Sequence, residues 1–200
     1  MAVRRTAALL LAALIVAGCS AEPGGEAAGA ATPAPIVKSP AKSGRLAWAT
    51  PATGQGEKGN PLEITPVGVY YHPGDAQYGK SKNGMFLAVG VKVTATGEAD
   101  QISAPFTGHG FRWEGGGETI TSAEGGQPPW VGRVNTPISQ DIQAGDYAAY
   151  VITFDVPERG GTLTYLSADG TQQRWAVPAR SGGQGLKKVL AALDELGINR

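Results

Sequence analysis

Residues 85–96 read MFLAVGVKVTAT, and this stretch is the clearest indication of the fold. Its larger apolar side chains alternate with small or polar ones, which is the period-two pattern of a half-buried β-strand. The alternating apolar residues are Leu87, Val89, Val91 and Val93. Gly90 falls on the opposite face, where a glycine marks a bulge or a close backbone contact.

Similar short runs lie on both sides of this strand. Residues 147–156 alternate in the same way until Pro157, and residues 163–177 form a hairpin around Asp169-Gly170. We also expect a first strand at residues 45–50, a loop at residues 51–59 and a long polar loop at residues 71–84. Seven to nine strands at this spacing, with 30 Gly and 14 Pro in the chain, predict an all-β, immunoglobulin-like antiparallel β-sandwich.

The sandwich is expected to occupy residues 45–179, because every Phe, Trp and Tyr of the chain lies between Trp48 and Trp175. Residues 180–200 are predicted to form a linker and a short amphipathic helix. Their apolar residues follow helical spacing (Leu186, Val189, Leu190, Leu193). Such a short helix is marginal alone. It therefore either docks on its own sandwich, which we favour, or binds a partner.

The beginning of the chain carries a membrane signal. Arg4 and Arg5 precede an apolar run at residues 7–17, which has the length of a secretory signal and is too short to span a bilayer. The run ends in Val16-Ala17-Gly18-Cys19, which resembles a bacterial lipobox. Residues 1–18 are thus predicted to be a lipoprotein signal peptide, and Cys19 the lipidated first residue of the mature chain. The alternative is an ordinary signal peptide with an accidental cysteine.

Residues 19–44 are predicted to be a disordered spacer, since they hold mostly Gly, Ala, Pro and Ser. Removal of the signal peptide takes away Arg4 and Arg5, so the mature chain has 15 basic and 17 acidic residues. This balance argues against a nucleic-acid partner. Cys19 is the only cysteine, so no intrachain disulfide is expected and the core must supply the stability.

Three segments together resemble a known family. They are residues 86–94 (FLAVGVKVT), Ala144-Gly145-Asp146, and residues 151–157 (VITFDVP). They resemble a bacterial domain of unknown function that is common in secreted lipoproteins of Gram-positive bacteria. That domain is similar to the telokin-like, immunoglobulin-fold secreted immunogenic proteins of mycobacteria. The resemblance covers roughly residues 60–177, and it implies no catalytic residues because the family has none agreed.

Catalytic and metal-binding patterns are not evident in the sequence. His72 and His109 are the only histidines, and neither belongs to a metal-ligand motif. Four aspartates, at positions 100, 141, 146 and 155, are interpreted as turn-capping residues in preference to calcium ligands. We therefore expect no enzyme activity, no metal and no cofactor.

One group of residues is a candidate ligand surface. His109, Trp113, Glu114 and Trp130 fall in the least regular third of the domain, and exposed aromatic residues beside polar groups suit contact with a glycan or peptide. The alternative, which we favour, is that Trp113 and Trp130 plug the sandwich core.

These features predict a lipid-anchored protein on the extracellular face of the cell membrane. We expect it to act as a non-catalytic binding module of the cell envelope, with an envelope protein or glycan as partner. The alternative is an envelope hydrolase or a small-ligand carrier on the same sandwich.

Overall fold

A computed structural model of the chain describes residues 44–75, 79–103, 108–122, 132–133 and 140–195. The predicted signal peptide, Cys19 and nearly all of the spacer lie outside these residues. The described residues contain eleven strands and one helix. The strands are β1 (Ala52–Gln55), β2 (Pro61–His72), β3 (Gly74–Asp75), β4 (Gly79–Lys80), β5 (Met85–Ala95), β6 (Gly110–Gly115), β7 (Glu118–Thr121), β8 (Gly132–Arg133), β9 (Tyr147–Val156), β10 (Thr162–Leu166) and β11 (Gln172–Ala176), and the helix is α1 (Leu186–Glu195).

The strands form two main antiparallel sheets. The large sheet has the order β1-β2-β5-β9-β8, and the small sheet has the order β11-β10-β6-β7. In the strand letters used for immunoglobulin domains, the large sheet contains strands A, B, E and D, which are β2, β5, β9 and β8. The small sheet contains strands C, F and G, which are β6, β10 and β11. The strand order is therefore that of an immunoglobulin domain. The predicted antiparallel β-sandwich with a short C-terminal helix is confirmed.

The core lies between the two sheets and is rich in aromatic residues. Trp113, Trp175, Tyr165 and Phe154 are fully buried there. Both indoles are hydrogen-bonded: Trp113 Nε1 donates to the Gly160 carbonyl and Trp175 Nε1 to the Thr50 carbonyl, each at 2.8 Å. The sandwich therefore buries large side chains without leaving these donors unpaired.

Two predicted segments differ from the structure. In residues 45–50 only Leu46 pairs, through a parallel bridge to Trp175, and the first strand is instead β1, within the predicted loop. The predicted loop at residues 71–84 holds the end of β2 and the two-residue strands β3 and β4. The missed strands β1, β3 and β4 are built from small, polar and charged residues and carry no apolar alternation. The alternation of Leu46 and Trp48, which predicts a strand, instead reflects their packing against the core.

Helix α1 packs on the outer face of the large sheet. Val189, Ala192 and Leu193 are buried in a second apolar cluster together with Phe86, Ala88 and Val151. The apolar stripe of α1 is thus covered by its own domain.

Among the described residues, no helix is both long enough and apolar enough to cross a membrane.

Glycines let α1 approach the sheet closely. A Cβ atom on Gly90 would lie 2.6 Å from Val189 Cγ2, and one on Gly68 would lie 2.8 Å from the Gly185 carbonyl carbon. Real Cβ contacts are not this short, so these positions require glycine or a shifted helix. Gly90 on the outward face therefore marks a close contact, which is one of the two interpretations that its position in the sequence allows.

Candidate functional site

The four residues of the candidate ligand surface do not share one face. Trp113 is 0% exposed in the core, whereas Glu114 lies half-buried on the outer face of the same strand. Successive side chains of a strand point to opposite faces, so these neighbours cannot present one surface. His109 is half-buried and directly precedes β6, and Trp130 lies outside the described residues.

Glu114 belongs to a polar network on the outer face of the small sheet. Its Oε2 accepts a hydrogen bond from Arg174 Nη2 at 2.6 Å, and its Oε1 accepts one from Thr164 Oγ1 at 3.0 Å. Arg174 and Glu114 are each about one-quarter exposed. Both carboxylate oxygens are therefore occupied within the sheet, and an ion pair at this exposure contributes at most about 1 kcal/mol.

The buried aspartates hold loops in place. The Asp100 carboxylate accepts hydrogen bonds from the backbone N–H groups of Lys58, Asn60 and Gln101, at 2.7 to 3.1 Å. Asp155 does the same for the loop after β4, where it accepts from the Lys82 backbone N–H at 2.8 Å and from the Ser81 hydroxyl. Within the described part of the chain, no three His, Cys, Asp or Glu residues form a group that would hold a metal ion.

A groove of about 270 Å³ lies between α1 and the outer face of the large sheet. Its floor is made by β5 and β9, and one wall is the groove-facing side of α1. The floor includes Gly90, Ala149 and Val151, and the wall includes Lys188, Ala191, Ala192 and Glu195. Two of the floor residues, Gly90 and Ala149, are small.

Tyr147 and Lys92 place an exposed aromatic ring and a positive charge at the mouth of the groove. Tyr147 lines the groove and is 52% exposed, the one large apolar residue in the described ranges that is mainly exposed. The Lys92 ammonium lies 5.1 Å from the centroid of the Tyr147 ring. A cation over an exposed ring contributes about 0.5–1 kcal/mol. The pair therefore orients an aromatic face beside an apolar floor.

The sequence pattern alone does not predict the groove, although it does show the sheet face and the helix stripe that form the groove. The outward face of residues 147–156 carries Tyr147, Ala149 and Val151, and the helical spacing of residues 186–193 shows the stripe that meets this face. The sequence does not show which face of the sheet α1 covers, or how much of that face α1 covers. That depends on contacts of Gly68 and Gly90 with residues about 100 positions away along the chain.

Comparison of the chain with protein-family models gives no match. Comparisons with curated proteins and with solved structures also give no match. The class that the described residues define is thus a structural one: a two-sheet antiparallel β-sandwich with immunoglobulin strand order and a helix docked on its large sheet.

Proposed function

We propose that this chain is a membrane-anchored, extracytoplasmic lipoprotein whose β-sandwich is a non-catalytic binding module of the cell envelope. The anchor is inferred from Arg4, Arg5, the apolar run at residues 7–17 and Cys19. Two acyl chains on one thioether give stable membrane attachment, whereas a single chain does not. The observation that carries the binding role is the groove beside α1.

The groove suits binding because it combines an apolar floor with an exposed aromatic residue. Isolated apolar residues on a surface need no explanation, but a concave apolar patch with polar groups at its rim is typical of an interaction site. Val151 and Ala192 contribute to the floor and wall, and Lys188 and Glu195 supply opposite charges at the rim. Tyrosine is also enriched among residues that dominate binding energy.

The size of the groove favours a protein segment over a free small molecule. At about 270 Å³ it is smaller than the roughly 300–1,000 Å³ typical of small-molecule sites. It would accept one or two apolar side chains of a partner. The alternative function, a small-ligand carrier or hydrolase, requires the same groove to enclose a whole ligand or substrate.

The test is photo-crosslinking of the lipidated chain in its own membrane. A photoreactive amino acid replaces Ala191, which is exposed on the groove wall, and the control position is Glu118, which is exposed on the far sheet. We expect a protein adduct at least tenfold more abundant from position 191 than from position 118. The adduct should disappear when Ala149→Trp fills the groove.

Two outcomes would contradict the proposal. One is equal labelling from positions 191 and 118, and the other is an adduct at position 191 that Ala149→Trp does not change. A small molecule that remains bound to the wild-type chain in native mass spectra, and is lost in Ala149→Trp, would favour the carrier.

A further inference from the structure

The groove-facing side of α1 carries opposite charges at its two ends and a small residue between them. Lys188, Ala191 and Glu195 line the groove and are exposed, and their spacing places them on one side of the helix. Lys188 and Glu195 lie about 10.5 Å apart along the axis, beyond the spacing at which side chains of one helix pair. In the described part of the chain, neither forms an ion pair.

This charge pattern is complementary to itself in the antiparallel direction. When two copies of α1 lie side by side and antiparallel, Lys188 of each copy faces Glu195 of the other copy. Ala191 of each copy then faces Ala192 of the other at the centre. The arrangement has the two-fold symmetry that is commonest among homodimers. We propose that a second copy of this chain docks at the groove through this antiparallel pair of α1 helices.

The terminal charges that are unfavourable within one helix become favourable in the pair. Lys188 near the N-terminus and Glu195 at the C-terminus oppose the dipole of their own helix. In the antiparallel pair, Lys188 lies beside the C-terminus of the other helix and Glu195 beside its N-terminus, so the second dipole attracts both charges. Alanines at the centre permit an interaxial distance of about 8 Å, the short end of the usual range.

Tyr147 supplies the apolar part of this contact. It is the one large apolar residue that is mainly exposed in the described ranges, and it lines the groove. A two-fold interface uses the same patch on both copies, so docking covers the Tyr147 ring and the groove together. A partner of another sequence would need the same two charges at the same spacing, whereas a second copy supplies them by symmetry.

This inference deepens the proposed function and rests on it in treating the groove as a binding site. The two ideas fail separately in the photo-crosslinking experiment at position 191. An adduct with the mass of two copies of this chain supports both. An adduct with a different envelope protein supports the proposed function and overturns the second copy as the occupant.

The direct experiment is cysteine crosslinking in the full chain carrying Cys19→Ser, which contains no other thiol. Ala191→Cys places one thiol near the two-fold axis, and the control is Glu118→Cys, at an exposed position on the far sheet. A disulfide requires Cα atoms within about 7 Å, which the paired helices provide at position 191. We expect Ala191→Cys to form disulfide-linked dimers at least tenfold faster than Glu118→Cys at the same concentration.

Charge reversal in the Ala191→Cys chain tests the pairing itself. Lys188→Glu leaves only negative charges in the contact and Glu195→Lys only positive ones, so each variant alone should dimerise at least fivefold more slowly. An equal mixture of the two should recover the parent rate, because the variants present opposite charges to each other. Lys187→Glu, an exposed change outside the groove lining, should keep the parent rate.

Both reversals place charges that the helix dipole favours, so α1 stays folded in each variant. Three results would overturn the proposal. They are equal rates from positions 191 and 118, single reversals that dimerise as fast as the parent, and a mixture that stays as slow as its components.

Discussion

At Gly90 the absence of a side chain determines where α1 lies. The Gly90 Cα is near enough to Val189 that an added methyl group would approach Val189 Cγ2 to 2.6 Å. Val189 itself is buried against the sheet. Gly90 is therefore part of the helix-docking surface, although it lies in the middle of a strand where glycine is otherwise unfavourable.

We expect Gly90→Ala to lower the free energy of unfolding by about 1–3 kcal/mol, the usual cost of adding volume to a packed site. Urea unfolding monitored by tryptophan fluorescence measures this. Gly44→Ala is the control, since nothing lies within 4 Å of the Cβ position at Gly44. Combining Gly90→Ala with Val189→Ala should cost less than the sum of the two single changes. A strictly additive double variant would show that the two residues do not collide.

Trp113 and Glu114 show how far sequence reasoning extends at the scale of the residue. Their order in the chain already places them on opposite faces of any strand. The alternation of Phe111 and Trp113 with Arg112 and Glu114 also indicates that the aromatic face is the internal one, and the structure buries that face. The aromatic pair is assignable to a core, but the hydrogen bond from Arg174 to Glu114 spans 60 residues and leaves no local signal.

At the scale of the element, α1 depends on packing more than on its own sequence. It has no acidic residue in its first turn and no basic residue in its last turn. Lys187 and Lys188 lie near its N-terminus, and Asp194 and Glu195 near its C-terminus. This is the reverse of the arrangement that the helix dipole favours. Burial of Val189 and Leu193 must therefore hold the helix in place.

We expect Leu193→Ala to release α1 from the sheet. Truncating a fully buried leucine costs about 2–5 kcal/mol, and a ten-residue helix with unfavourable terminal charges does not persist alone. Hydrogen exchange of residues 186–195 should accelerate strongly while the β6 and β10 amides keep their protection. Leu190→Ala, at a half-buried position of the same helix, should have a smaller effect. Unchanged exchange in α1 would refute this account of its docking.

The strands most easily predicted are those with the longest apolar alternation in the sequence. Residues 147–156 coincide with β9, and the predicted strand at residues 85–96 contains β5. The hairpin at Asp169-Gly170 is present, but only Gly170 has positive φ, whereas a type I′ turn needs two such residues. The Asp169 carboxylate instead accepts hydrogen bonds from the backbone N–H and the hydroxyl of Thr171.

At the scale of the whole molecule, two tyrosine hydroxyls join distant parts of the sandwich. The Tyr71 hydroxyl donates to the Pro178 carbonyl and accepts from the Gly160 N–H, both at 2.8 Å. The Tyr165 hydroxyl donates to the Gln55 carbonyl at 2.9 Å and accepts from the Ser103 N–H at 3.2 Å. Burial raises the pKa of both tyrosines above the ordinary value of about 10.

These raised pKa values predict that stability declines at alkaline pH. Above about pH 10 the tyrosines of the unfolded chain lose protons that the folded protein retains, so the free energy of unfolding falls as pH rises. The contribution is fully present below about pH 10 and is lost as pH rises through the folded pKa values. Urea midpoints measured from about pH 8 to about pH 11 follow this decline.

Tyrosine variants provide the controls for the pH dependence. Tyr165→Phe should lower stability by about 1–3 kcal/mol at neutral pH, because buried backbone groups lose a partner, and it should flatten the alkaline decline. Tyr147→Phe, at an exposed position, should leave both properties nearly unchanged. A decline as steep in Tyr165→Phe as in the wild type would contradict this explanation.

The most direct test of the central claim, that lipid on Cys19 anchors this β-sandwich outside the cell, is the mass of the N-terminal peptide from the membrane-extracted protein. We expect a peptide that begins at Cys19 and carries the added mass of a diacylglyceryl group. We expect Cys19→Ser to lack this mass and to appear in the medium or as the uncleaved precursor, while Ser20→Ala remains in the membrane. A mature protein with an unmodified Cys19 thiol, or a Cys19→Ser variant that still carries lipid, would contradict the account.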